Sequence, residues 1–209
     1  MPTASIPAIQ KRTLKRPLDR RQSIIQAAAA LFAKVGFNDC EMQRVASRLR
    51  IAKGTLYLYY ESKRDIYIAA LKFGIEQMYS MVAEKLSAVS APEDKLRTLI
   101  AVKLAYFDDN RDFFKIYYSE LGNLCIHPGT IDNEFKMLYL ESAKVVESIL
   151  KEGARKKVIR SVRTEQAAFA ISDIIRSVVT HRVLGWSKSK ISQDVDFIFD
   201  LIWKGIAAS

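Results

Sequence analysis

Apolar residues recur at helical spacing along most of this chain. Ile24, Ile25, Ala28, Leu31, Phe32 and Val35 share one face of a helix predicted over residues 19–35. Gly36 follows where a helix commonly ends through a residue of positive φ, and Phe37 packs where the chain turns. Residues 41–49 then place Met42, Val45, Ala46 and Leu49 on one stripe, with Ala46 small enough for a second helix to cross closely. A break at residues 50–52 leads into a short helix from Lys53, anchored inward by Leu56 and Tyr60. Its other positions, Lys53, Thr55, Tyr57 and Tyr59, offer donors and flat rings.

Ser62 and Asp65 form a capping box for a helix over residues 63–87, whose stripe runs through Ile66, Ala69, Ala70, Phe73, Gln77, Met81 and Leu86. At ~1.5 Å per residue it spans roughly 37 Å, long enough to leave one small bundle and enter the next. Ser90 to Glu93, with Pro92 in the first turn, starts another helix ending near Asp109. Asn110 caps a helix over residues 111–121; a loop over 123–129 and a helix over 130–158 follow. Thr164 opens a helix rich in small and branched residues, and the last carries Val195, Ile198, Phe199, Leu201, Ile202 and Trp203. Both show apolar residues beyond one narrow stripe, as buried or interface helices do. With five prolines, eight glycines and no β-branched alternation, the fold is predicted all-α, with about nine helices.

Two helices joined by a tight turn over about residues 41–60 make a helix-turn-helix, whose second member enters the DNA major groove. Charge sharpens that reading. Of the net +10, residues 1–64 carry 13 basic against 4 acidic side chains, and residues 65–209 carry 20 against 19. The excess thus surrounds the helix pair, where Lys and Arg supply the phosphate-neutralising part of DNA affinity. Residues 1–18, punctuated by Pro2, Pro7 and Pro17, read as a disordered basic arm, a DNA-tracking tail or a solvated one. No apolar run approaches the ~18 residues of a membrane span, the charged N-terminus lacks a signal-peptide core, and two cysteines suit a reducing compartment. A cytoplasmic, nucleoid-associated location is expected.

The ordered series Ala29-Ala-Leu-Phe-Ala-Lys-Val-Gly-Phe37, Val45-Ala46, Lys53-Gly-Thr-Leu-Tyr57 and Tyr59-Tyr-Glu-Ser-Lys63 resembles the DNA-binding domain of the TetR/AcrR family of bacterial repressors. The resemblance covers about residues 20–71. It implies an N-terminal three-helix DNA-binding domain over 19–71 and a ligand-binding and dimerisation bundle over 72–209. It places Lys53, Gly54, Thr55 and Tyr57 on the recognition helix, Gly54 admitting close approach to DNA. Gln43 would reach a base edge or phosphate, and Tyr59 and Lys63 would clamp phosphates. It further implies a homodimer through the last two helices on a double-stranded DNA operator. Three positions depart from the family pattern: Cys40 and Glu41 stand where Thr or Ser is common, and Tyr59 replaces a frequent His.

Catalytic chemistry finds no support. His127 and His181 are isolated, so no metal site is expected, and His181 reads as a hydrogen-bonded structural residue. Asp108, Asp109 and Asp112 suit capping better than acid–base work, and no P-loop, dinucleotide fingerprint or nucleophile elbow occurs. Neither enzyme nor cofactor is predicted. The resemblance implies an effector pocket, and Tyr106, Phe114, Tyr117, Tyr118 and Met137 are nominated to line it around a small hydrophobic or aromatic molecule. The alternative is a DNA-bound interaction protein whose second domain recruits a protein partner.

Overall fold

The computed structural model describes residues 17–126 and 133–208 of the chain. His127, the rest of the expected loop beyond residue 126, and the basic arm up to residue 16 lie outside them. Among the described residues there are nine helices: α1 (Pro17–Asp39), α2 (Met42–Arg48), α3 (Lys53–Tyr57), α4 (Lys63–Ser87), α5 (Pro92–Asp109), α6 (Arg111–Ile126), α7 (Asn133–Arg155), α8 (Thr164–Val183) and α9 (Ile191–Ile206).

Most boundaries follow the local signals. Pro17 opens α1 at the position where a missing N–H costs nothing. Gly36, at φ 81° and ψ 170°, breaks the helix after Val35 before a last turn through Asp39. The Ser62 hydroxyl accepts from the Asp65 backbone N–H, the N-cap half of the expected box, but the Asp65 carboxylate accepts from the Ser62 hydroxyl rather than from its backbone N–H. Two boundaries differ from expectation. α6 runs on to Ile126 because Gly122 and Asn123, which read as stops, sit in continuous helix, where glycine costs only ~1 kcal/mol. α7 ends at Arg155, before the expected residue 158, because Lys157 takes φ 59°; residues 130–132 of the expected helix lie outside the described residues. Its N–H donates to Ala154 O, and that of Val158 to Gly153 O, which closes a Schellman cap without glycine.

The three helices α1–α3 form a small head, but its core does not end there. Buried side chains run in one cluster from Ile24 and Phe32 through Ile66, Leu71, Ile75 and Met78 of α4 into Leu99, Leu104, Leu150 and Ile198. The expected domain boundary at residue 71 therefore falls inside an unbroken helix. Tyr67 strengthens the junction: its ring packs edge-on to Phe32 and Phe37, and its hydroxyl faces Ile116 O and Glu120 on α6.

One glycine fixes how closely the bundle grips α4. A Cβ at Gly74 would stand 2.2 Å from the Phe113 ring, and the Tyr106 hydroxyl donates to Gly74 O at 2.7 Å. Thus α5 and α6 both touch the α4 backbone at one point. Burial pushes the Tyr106 hydroxyl up to about 12. On the far side, Arg182 of α8 joins Asp108 at the end of α5 (2.7 Å) to Asp194 in the first turn of α9 (2.6 Å). Hydrogen bonds from Arg182, then from Arg111, hold the Asp108 carboxyl below the usual carboxylate range, although burial opposes them. Asp108 is thus an interhelical tie rather than a solvated cap.

Gly74→Ala is expected to lose about 1–3 kcal/mol, the usual cost of overpacking a filled core. A fall of several degrees in Tm, measured by circular dichroism, checks it; an unchanged Tm would show that Phe113 moves aside freely.

Candidate nucleic-acid interface

Met42, Val45 and Ala46 of α2 and Leu56 of α3 are buried, so the two helices cross over the small Ala46 side chain as the spacing requires. The turn between them is another Schellman cap built without glycine. Arg50 has φ 54°; its N–H donates to Ser47 O (3.1 Å), and the Ile51 N–H donates to Ala46 O (3.1 Å). The chain thereby reaches Ala52, from which α3 starts.

What the pair turns outward is basic and rich in donors. Gln43, Arg44, Arg48, Arg50, Lys53 and Gly54 are exposed, Thr55 is half-buried, and Tyr57 is 40% exposed. Lys53 stands at the first position of α3, next to Gly54. A Cβ at Gly54 would meet nothing within 4 Å, so no contact among the described residues demands glycine there. Glycine inside a helix costs ~1 kcal/mol relative to alanine. That cost with no internal return points to an external surface approaching the backbone.

The remaining nominated residues divide. Tyr59 is half-buried; the Arg21 guanidinium lies 5.9 Å from its ring centroid and 5.4 Å from that of Tyr60, so α1 braces this end of the pair. Burial raises the Tyr60 hydroxyl, with Arg21 opposing. The Lys63 ammonium donates to Asn38 O at 2.9 Å and sits 4.7 Å from the Phe37 ring centroid. It fastens α4 to the end of α1. Gln43 reaches only Ser47, at 3.5 Å, and is otherwise turned outward. Glu41 occupies the N-cap of α2 with no side-chain cap bond, and its carboxylate is exposed beside this basic face. Cys40 is buried, its thiol raised by that burial. One exposed residue was not nominated: Leu58, 80% exposed directly after α3. An apolar side chain set among tyrosines beside the donors suits a thymine methyl; the signal was a leucine two positions beyond the inward anchor Leu56.

Within the bundle, the nominated pocket residues do not form one group. Phe114 and Tyr117 line a cavity of about 40 Å³ enclosed by α4, α5, α6, α7 and α8. Tyr106 faces α4, Tyr118 is 38% exposed with Arg176 near its ring, and Met137 is 51% exposed. Lys103, Tyr139 and Ser142 complete the cavity wall and were not nominated, although Lys103 interrupts an apolar stripe between Ile100 and Leu104. His181 also departs from expectation: it is exposed and packs on Trp186, ring centroids 5.5 Å apart. Among the described residues no His/Cys/Asp/Glu group could hold a metal, and no helix is long and apolar enough to cross a membrane.

Gly54→Ala is expected to separate two effects. It should raise stability by about 0.5–1 kcal/mol while weakening DNA binding. Paired thermal melts and fluorescence-anisotropy titrations check this; a stabilised variant with undiminished DNA affinity would show that the open side of Gly54 is not a contact surface.

Residues 24–70 match the model of the bacterial regulatory proteins, tetR family. The chain is similar to the fatty acid metabolism regulator protein of Bacillus subtilis (strain 168), 24% identical over 193 residues that cover 92% of this chain and 97% of that one. A Clostridium perfringens structure, described as a candidate fatty acid metabolism regulator, superimposes with TM-score 0.74 and 26% identity over 90% of this chain and 100% of that chain. The Bacillus subtilis regulator FadR in complex with stearoyl-CoA has TM-score 0.76 at 21% identity, covering 88% of this chain and 98% of that chain. Helix pair, all-helical fold and domain match agree: residues 24–70 carry the DNA-binding domain of the tetR family of bacterial regulatory proteins, and the whole chain is similar to transcriptional regulators that have it.

Proposed function

We propose that this chain is a ligand-responsive repressor that binds a palindromic operator as a homodimer. The observation that carries the reading is continuity. The exposed donor face of α2 and α3 belongs to a head whose core passes unbroken, along α4, to a bundle enclosing a cavity. Lys53, Gly54, Thr55, Tyr57 and Gln43 would meet the bases and nearby phosphates, with Tyr59 and Lys63 positioning the groove edge. The segment before α1, which begins at Pro17 rather than after the expected residue 18, adds Lys11, Arg12, Lys15 and Arg16 to the charge available for phosphates.

Dimerisation through α8 and α9 is supported by Trp186, Phe197 and Leu201, which are 71%, 60% and 55% exposed, with Leu184 beside them at 53%. Apolar exposure of that order on α9 and on the turn that leads into it from α8 marks an association surface. Two heads held this way would read successive major grooves about 34–36 Å apart. The effector would be a small hydrophobic or aromatic molecule entering the bundle; the similar FadR of Bacillus subtilis is described with stearoyl-CoA, whose acyl chain shares the apolar character but not the small size. It would act by binding better to the arrangement of α4 that misplaces the heads, since equal affinity for both states shifts nothing. The relatives do not favour the alternative in which the second domain recruits a protein partner. Such a regulator would work in the cytoplasm on the nucleoid.

Lys53→Ala and Tyr57→Ala are each expected to weaken operator binding at least about tenfold, the worth of one good base or phosphate contact, while dimers persist. Gel-shift titration alongside light scattering checks this; undiminished binding would remove α3 from the recognition role. Phe197→Asp with Leu201→Asp should convert dimers to monomers by sedimentation velocity. Persistence of the dimer would place the interface elsewhere.

A further inference from the structure

The cavity in the bundle has an unusual occupant in its wall. Lys103 of α5 is 6% exposed, and its ammonium has one hydrogen bond, to Ser142 Oγ at 3.4 Å. Among the described residues it forms no ion pair. The neighbouring charges, Asp173 and Arg176 on α8, pair with each other at 2.7 Å, so the one nearby carboxylate is already engaged. Ser172 and the rings of Tyr117 and Tyr139 complete the polar side, while Met78, Phe107, Phe114 and Ile175 form the apolar side. An ammonium carries three donors, and leaving a buried cation without a counter-charge is among the costlier arrangements a fold can hold. Burial alone pulls this amine down to about 8, as expected where no anion offsets desolvation.

We propose that Lys103 is the acid-recognition residue of the effector site, and that the effector is a short, largely apolar carboxylic acid whose carboxylate pairs with the Lys103 ammonium beside Ser142. The inference rests on the reading of the chain as a ligand-responsive regulator and names the ligand class. The apolar wall takes the hydrocarbon or aromatic part, and the lysine supplies the missing charge partner. At about 40 Å³ the cavity is far smaller than the ~300 Å³ at which organic ligand sites begin, so entry requires the walls to part. One wall residue, Met78, stands on α4, one turn beyond Gly74, where α5 and α6 grip that helix. A ligand that opens the cavity therefore pushes on the helix that carries the head.

The test measures thermal shift, binding affinity and operator release with the full chain. Hexanoate and phenylacetate are compared with hexanol and phenylethanol of matched shape and with hexanoyl-coenzyme A, on wild type, Lys103→Met and Lys103→Arg. Met is apolar and of similar length, so that variant is expected to melt higher than wild type without ligand. Support is a wild-type preference for the acids over the alcohols of about tenfold or more. Lys103→Met should lose that preference while its alcohol affinity stays within about twofold, and Lys103→Arg should keep part of it. Equal binding of acids and alcohols by wild type, unchanged in Lys103→Met, overturns the assignment while leaving a ligand-responsive regulator. Binding of hexanoyl-coenzyme A without the free acid also overturns it, because the buried acyl end is then neutral. If no probe shifts the protein although it still binds operator, the acid site and the effector reading fall together and DNA binding stands.

Discussion

The backbone of α4 at Gly74 is where the bundle grips the helix that also packs against the head. The Phe113 ring lies where any side chain would be, and the Tyr106 hydroxyl takes the Gly74 carbonyl. Those contacts come from α6 and α5, on the two sides of the Asp108–Arg111 corner. A helix gripped there cannot shift without dragging the aromatic layer formed by Tyr106, Phe107, Phe113 and Tyr117. Close-packed interiors transmit such displacements because they have no slack to absorb them. The same helix is tied to the head at Tyr67 and, through Lys63, to Asn38. Head and bundle are therefore mechanically one body.

Charge is used in two opposed ways. Around α2 and α3, arginines and lysines are exposed, and water solvates them at little cost until a polyanion displaces its counterions. In the bundle, Lys103 is enclosed with a single weak hydrogen-bond partner, and desolvation acts on it without compensation. Arg182 shows burial with counter-charge: two carboxylates and the Ser189 carbonyl take its two terminal nitrogens, while its Nε has no hydrogen-bond partner among the described residues, and it holds the ends of α5, α8 and α9 together. The contrast between Arg182 and Lys103 marks one as architecture and the other as a group awaiting a partner.

Glu41 is the discordant note on the basic face. It neither caps α2 through its side chain nor lies buried, so its carboxylate adds a negative charge at a helix start beside the DNA-facing surface. The N-terminal position gives it some favourable interaction with the helix dipole. Toward phosphate it repels, and this is the point at which the interface differs in kind from one capped by threonine or serine.

The all-α class, the helix pair and the outward set Gln43, Lys53, Gly54 and Tyr57 were legible in the sequence. Stripe spacing, the Ser62–Asp65 box and clustered charge are local quantities that the chain carries in its order. The break at residues 50–52 was placed although Arg50 takes positive φ without glycine, whereas the end of α7 at Lys157 was set too late because the same backbone conformation is not announced by a glycine there. The pocket was barely legible. Helical spacing put Tyr106, Phe114, Tyr117 and Tyr118 on related faces, but their division among the α4 backbone, the cavity and solvent depends on how α5 and α6 cross α4. Periodicity along one helix holds no record of what stands opposite. The sequence by itself determined which segments are helical, where the charge lies and which short helix faces outward. Only the tertiary structure decided that Lys103 is enclosed without a counter-charge, that Lys63 fastens α1 to α4 and that Gly74 is a point of grip, because each depends on partners far along the chain.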